Sequence, residues 1–225
     1  MTVTIIVQAR MGSTRFPGKI LAPFLPLFSG GPRVTVLEHV LRRCKKVGNA
    51  GSVSLATPDS ADHADAWALS EGLGCDVFAG NEHDVLERYY RAAEWYMRDG
   101  ADDHIVRVTA DCPLIDPNVI QELIALHLGQ GTDYACNVMP RTYPKGYDCE
   151  IMTFEALEAA WVSAKRPYDR EHVTPWLQRM DGIKRANLQQ KINRSEVNLC
   201  IDYPEDPARI EELLKILKLG REKLQ

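Results

Sequence analysis

The chain has 225 residues, 45% of them hydrophobic, with a formal net charge of −4 and an isoelectric point near 5.9. That length fills one core of helices and strands, and the acidic balance excludes a broad nucleic-acid-binding surface. No apolar run approaches the roughly 20 residues of a membrane helix, and the start of the chain lacks the pattern of a signal peptide. Six cysteines without a Cys-x-x-Cys pair read as reduced thiols of a cytoplasmic protein, not as a zinc site or a disulfide frame.

In chain order, Val3 to Val7 is an apolar run that reads as a buried strand. It empties into a loop rich in glycine and cations that ends at Lys19, and residues 21–32 read as irregular. A helix follows with Leu37, Val40, Leu41 and Cys44 on one face, then a strand over 52–56. The pattern predicts a helix over 61–73, a strand over 75–78 and a helix over 82–98, whose stripe is Leu86, Tyr89, Tyr90, Ala93 and Met97. A strand over 104–109 runs into Asp111, and Asp116 with Pro117 caps and starts a helix over 117–129. Beyond lie strands near 134–137 and 148–153, helices near 154–165 and 170–180, and strands near 183–188 and 197–201. A last helix, 207–219, buries Ile210, Leu213, Leu214 and Leu217. The β-α alternation of the first 130 residues argues for a mostly parallel sheet flanked by helices, with ligands at the carboxyl ends of its strands. No linker divides the chain, so one unit over 1–225 is expected.

The loop is Gln8-Ala-Arg10-Met-Gly-Ser-Thr-Arg15-Phe-Pro-Gly-Lys19. Gly12 and Gly18 permit unusual backbone angles, exposed N–H groups form a concavity for anions, and Arg10, Arg15 and Lys19 add full charges. This composition reads as a polyphosphate cradle; a solvated surface turn is the plain alternative. A Walker loop does not fit, because five residues separate the glycines and Ile20 follows the lysine. Asp111 and Asp202 share one setting: each ends an apolar strand and stands two residues before a proline. Other residues, Asp116 and Asp206, supply the helix caps. Magnesium favours one or two carboxylates together with phosphate oxygens, so the two aspartates are the expected Mg²⁺ ligands. Turn-forming aspartates are the competing reading.

The loop resembles the signature of the cytidylyltransferases that make CMP-activated sugar acids, with the subgroup called spore coat polysaccharide biosynthesis protein F as the nearest likeness. Thr109-Ala-Asp111-Cys-Pro-Leu-Ile-Asp-Pro and Asp202-Tyr-Pro-Glu-Asp resemble the two metal-site segments of that family. Asp84-Val-Leu-x-Arg-Tyr-Tyr90, Tyr143-Pro-x-Gly-x-Asp148, Glu150 and Arg170-Glu-His-Val-Thr-Pro175 extend the likeness along nearly the whole chain. The resemblance implies a Rossmann-like α/β/α nucleotidyltransferase fold related to GT-A glycosyltransferases. It implies transfer of CMP from CTP to a sugar or sugar acid with release of pyrophosphate, and a homodimer. By the same resemblance Arg10, Arg15, Lys19, Asp111 and Asp202 are catalytic. The nucleotide would meet Ala9, Arg10, Gly12, Ser13, Thr14, Arg15, Lys19, Thr57, Asp59 and Asn81. The acceptor would meet Tyr147, Asp148, Glu150, Arg170 and His172, within an acceptor and dimerisation subregion at 140–195. The sequence departs from the family in its longer segment 22–33 and in Phe16, which stands where leucine is usual. Two other readings share the fold. A glycosyltransferase lacks support because no Asp-x-Asp motif ends a strand, and a non-catalytic nucleotide binder would bind without turnover.

Overall fold

The computed structural model describes residues 3–27, 30–48, 50–97 and 104–222. Its centre is a seven-stranded sheet in the order β5-β4-β1-β6-β8-β7-β9. The strands are β1 Val3–Gln8, β4 Ala50–Pro58, β5 Asp76–Gly80, β6 His104–Thr109, β7 Tyr134–Cys136, β8 Glu150–Thr153 and β9 Arg185–Asn187. Every neighbouring pair is parallel except the two made by β8, which runs against β6 and β7. A separate antiparallel pair joins β2 Pro23–Pro26 to β3 Arg33–Thr35.

The sheet is covered on both faces because its strands alternate between two cores. Val3, Ile5 and Val7 of β1 pack in the core built with α1 (Val36–Cys44) and α4 (Pro117–Gln130), whereas Ile6 packs with α3 (Val85–Met97) and α5 (Phe154–Ser163). Val106 and Val108 of β6 enter the first core and Ile105 the second. The three-layer α/β/α arrangement expected from the β-α alternation is present. The expected stripe of α1 is fully buried, and Tyr89 is core, its hydroxyl donating to the Ile6 carbonyl at 3.0 Å. Met97 and Leu217, expected on buried faces, lie outside the described side chains, as does Arg98 at the end of the expected helix.

Several local expectations are corrected. The 21–32 segment is not irregular throughout: β2 and β3 form a hairpin there, with residues 28–29 outside the described residues. The expected helix over 61–73 opens as a 3-10 turn, Ala61–His63, before α2, Ala64–Gly72. The expected helix over 170–180 is two, α6 (Pro167–His172) and α7 (Pro175–Arg179). Val173 breaks the run at φ 71°, and Pro175 starts the second helix at its first position, where its missing N–H costs nothing. The expected strand over 197–201 forms no ladder. It is an extended segment held by a single bridge between Asn198 and Lys145 and by Ile201 N–H donating to the Asp111 carbonyl at 2.9 Å. The last helix, α8, spans Asp206–Glu222.

Candidate active site

The chain leaves β1 to pair with β4 on one side and β6 on the other, so the sheet order reverses at β1. A crevice opens outside the carboxyl ends of strands at such a point. A cleft of 260 Å³ occupies it here. Ala9 donates to the Ala56 carbonyl at 3.1 Å and is the last residue held to the sheet before the loop. The loop folds on itself, Ser13 and Gly18 both donating to the Met11 carbonyl, at 2.9 and 3.0 Å. Met11 N–H in turn donates to His63 Nε2 at 3.1 Å. Gly18 has φ 69°, a left-handed angle that glycine adopts without strain. Gly12 does not need such freedom; a side chain there would meet nothing within 4 Å, so its lack of one leaves open approach to the backbone.

Lys19 sits at the centre. Its ammonium donates to Asp111 Oδ2 at 2.7 Å and to Asp202 Oδ1 at 3.2 Å. Arg15 also donates to Asp202 Oδ1, at 3.0 Å, and Lys145 approaches Asp202 Oδ2 at 3.4 Å. Burial favours the neutral form of Lys19, yet the two carboxylates outweigh it and the pKa lies above its ordinary value. Burial likewise raises the Asp202 carboxyl, and the hydrogen bond and charge of Lys19, with Lys145 and Arg15, hold it below the usual carboxylate range.

Asp116 caps α4 as expected, whereas Asp206, expected as a cap, is the first residue of α8 and bonds back to the chain before it. Asp116 accepts from Asn118 N–H at 2.9 Å, and Asp206 accepts from the N–H groups of Asp202 and Tyr203 at 2.7 and 2.8 Å. The donor set fits a divalent ion of the magnesium type. Two hard carboxylates, from Asp111 and Asp202, converge on the position held by the Lys19 ammonium. A magnesium ion completes such a pair with phosphate oxygens and water.

Of the residues expected from sequence, Ala9, Arg10, Ser13, Thr14, Arg15 and Lys19 line the cleft, as do Asp111, His172 and Asp202. Thr57 does not: it is fully buried and accepts from Trp67 Nε1 at 2.7 Å. Asp59 and Asn81 border a separate hollow with Phe78 and Arg88, and Asn81 Oδ1 accepts from the N–H groups of His83 and Asp84 before α3. Tyr147 packs against the core, and Asp148 pairs with Arg141, their second contact measuring 2.7 Å. Arg170 braces α6 to α3 and α5, donating to Asp84 at 2.8 Å and to the Trp161 carbonyl at 2.6 Å. It borders a groove that shares Arg10, Val85 and Glu171 with the main cleft.

Glu150 stands behind the cleft wall. It accepts from Arg107 and from the Tyr134 hydroxyl, both at 2.5 Å. Arg107 itself lines the cleft and donates to Gln8 Oε1 at 3.0 Å. Sequence reasoning passed over Arg107, Thr109 and Glu171. The signal available for Arg107 was its position two residues before Thr109, on the same face of a strand ending at the cleft.

Known proteins share this chain's sequence pattern and fold. A family model for cytidylyltransferases matches residues 4–224. The chain is 34% identical over 218 residues to the uncharacterized protein MJ1063 of Methanocaldococcus jannaschii, covering 96% of this chain and 84% of that one. It is 28% identical to the spore coat polysaccharide biosynthesis protein SpsF of Bacillus subtilis, over 94% of this chain and 85% of that one. A solved cytidylyltransferase from Leptospira borgpetersenii superposes with a TM-score of 0.84 at 31% identity, covering 97% of this chain and 95% of that one. A match over almost every residue, with a solved cytidylyltransferase sharing the fold, leaves one conclusion: the chain belongs to the cytidylyltransferase family and is a nucleotidyltransferase.

Proposed function

We propose that the protein transfers CMP from CTP to a hydroxyl of a sugar or sugar acid and releases pyrophosphate, with Mg²⁺, in the synthesis of a surface glycan. One observation carries this reading: the Lys19 ammonium is clamped between Asp111 and Asp202 beside the glycine loop. The acceptor hydroxyl oxygen bonds to the α-phosphorus and loses its proton to solvent, the bond from that phosphorus to the bridging β-phosphate oxygen breaks, and pyrophosphate leaves with that electron pair. The loop N–H groups with Arg10, Arg15 and Lys19 bind and align the triphosphate. Asp111 and Asp202 would hold the divalent ion, which when bound neutralises phosphate charge and aligns the leaving group.

His172 and Glu171 face the cleft from α6, at the acceptor end. Glu150 fixes the Arg107 guanidinium from behind, and Arg170 fixes α6 through Asp84. We assign 140–195 as the acceptor and dimer-contact part of a single domain over 1–225. The name of the Bacillus subtilis relative supports a polysaccharide precursor as product.

Thermal unfolding with CTP, UTP, GTP and ATP, with and without Mg²⁺, tests the reading. A ligand that binds only the folded state adds about 2.7 kcal/mol at a hundredfold excess over its dissociation constant. Stabilisation selective for CTP and strengthened by Mg²⁺ is expected. A shift for a different nucleotide overturns the base, and no shift with any triphosphate overturns the reading.

A further inference from the structure

The two oxygens of Asp202 divide the surrounding cations. Oδ1 takes Arg15 and Lys19 from the glycine loop, whereas Oδ2 faces Lys145, which comes from the other half of the chain. One carboxylate does not require three cations, and with Asp111 the group holds three positive charges against two negative ones. Arg10 adds a further positive charge to the cleft wall. Cations gathered around a shared carboxylate repel one another, and the surplus is relieved when an anion enters.

Lys145 is not there by the drift of a surface side chain, because its backbone is anchored. Lys145 N–H donates to the Val197 carbonyl at 2.9 Å, and Leu199 N–H donates to the Lys145 carbonyl at 2.7 Å. The next residue, Gly146, has φ 104°, and a Cβ on it would lie 2.9 Å from the Leu199 carbonyl carbon and 3.1 Å from Cys200 N. Those are backbone atoms that cannot yield, so glycine alone allows the 145–146 segment to lie this close to 199–200. The close approach sets the root of the Lys145 stem against the segment that leads into Asp202. The side chain beyond the root stays 48% exposed, able to turn from Asp202 to an incoming group.

We propose that Lys145 is a further substrate-contacting residue, a cation that meets the polyphosphate of the nucleotide from the side of Asp202 opposite the glycine loop. This rests on the nucleotidyl-transfer reading above and extends it. Titration calorimetry of CTP and of inorganic pyrophosphate, each with Mg²⁺, tests it on the wild type, Lys145→Met and Lys145→Arg. Loss of one charge-assisted hydrogen bond predicts binding of both ligands at least about tenfold weaker in Lys145→Met, recovered to within about threefold by Lys145→Arg. The difference between wild type and Lys145→Met shrinks as salt rises, because an exposed ammonium acts through a screened field. The half-exposed side chain predicts an unchanged melting temperature without ligand for both variants. Binding by Lys145→Met within twofold of wild type overturns the inference while leaving the nucleotidyl-transfer reading intact. So does a loss that arginine does not recover, or one insensitive to salt, since either marks a structural role. A wild-type protein that binds neither CTP nor pyrophosphate overturns both.

Discussion

Lys19 joins three distant parts of the chain at one point, and its removal is expected to do more than delete a cation. Lys19→Ala leaves Asp111 and Asp202 facing each other without their shared partner, and it takes a positive charge from the position proposed for the phosphates. Pyrophosphate release is expected to fall at least about 100-fold, the scale for losing one preorganised charge-stabilising group. Asp111→Asn keeps the shape and loses the charge, so activity should be lost while the melting temperature holds. Turnover near wild type in either variant removes that residue from the site. The place of both aspartates in the cleft was legible because each closes an apolar stretch two residues before a proline, although only the stretch before Asp111 forms a strand of the sheet. Arg107 was missed: its strand position placed it on the face of Thr109, but its partners Gln8 and Glu150 are distant in sequence and only the folded sheet brings them together. Asp59 and Asn81 miss the cleft for a reason of sheet order: they follow β4 and β5, on one side of β1, whereas Asp111 follows β6 on the other. Thr57 misses it because it lies within β4, buried, with its hydroxyl bonded to Trp67.

Elements with strong periodicity or clean caps were read closely, and those shaped by distant packing were not. α1 has both signals: its stripe is buried, and Thr35 Oγ1 accepts from Glu38 N–H at 3.1 Å in a Thr-x-x-Glu arrangement. Thr35→Ala should cost about 1 kcal/mol of stability by urea unfolding, and a smaller loss than about 0.3 kcal/mol would deny the cap its role. The β2–β3 hairpin escaped notice because Pro23 and Pro26 remove backbone donors and mimic an irregular run. Its two strands pair only with each other, outside the main sheet, where missing donors are tolerated. The break between α6 and α7 carries Val173 at φ 71° and ψ −59°, an angle pair that a β-branched residue adopts only under constraint. Thr174 N–H donates back to the His172 carbonyl at 2.8 Å across that turn, which directs the end of α6 toward the cleft.

For the molecule as a whole, acid should act in two stages. Burial lowers the pKa of His39, His63 and His127, the last to about 4, and their ordinary value is 6.5. Each of these groups binds a proton more readily once unfolded, so the stability they confer as neutral rings is present above pH 6.5 and drains as pH falls toward about 4. His63 must be neutral at Nε2 to accept from Met11, so its protonation also releases the loop from that anchor. Below that range the carboxylates follow: Asp169, held down by its hydrogen bonds to Arg179, contributes above its ordinary 3.8 and loses that contribution on protonation. Urea midpoints at pH 7.5, 5.5 and 4.5 should decline in that order, and a flat profile between the first two would exclude the histidines as its source. The three-layer fold was legible because β-α alternation sets it, and the cytidylyltransferase family was legible because its motifs are spread along the whole chain.

The single reversed strand has an outcome of its own. Around β1 and β6 the chain reaches the cleft as it departs from the sheet, so the functional residues follow their strands. Because β8 points the other way, the same rim receives the chain on arrival, and the stretch preceding Glu150 is delivered there in place of the stretch after Thr153. That stretch is not free to vary, because its Lys145–Gly146 step is fixed against residues 197–200. A substitution or insertion at that step is therefore carried directly to the segment that leads into Asp202, which couples the arriving chain to the rim of the cleft.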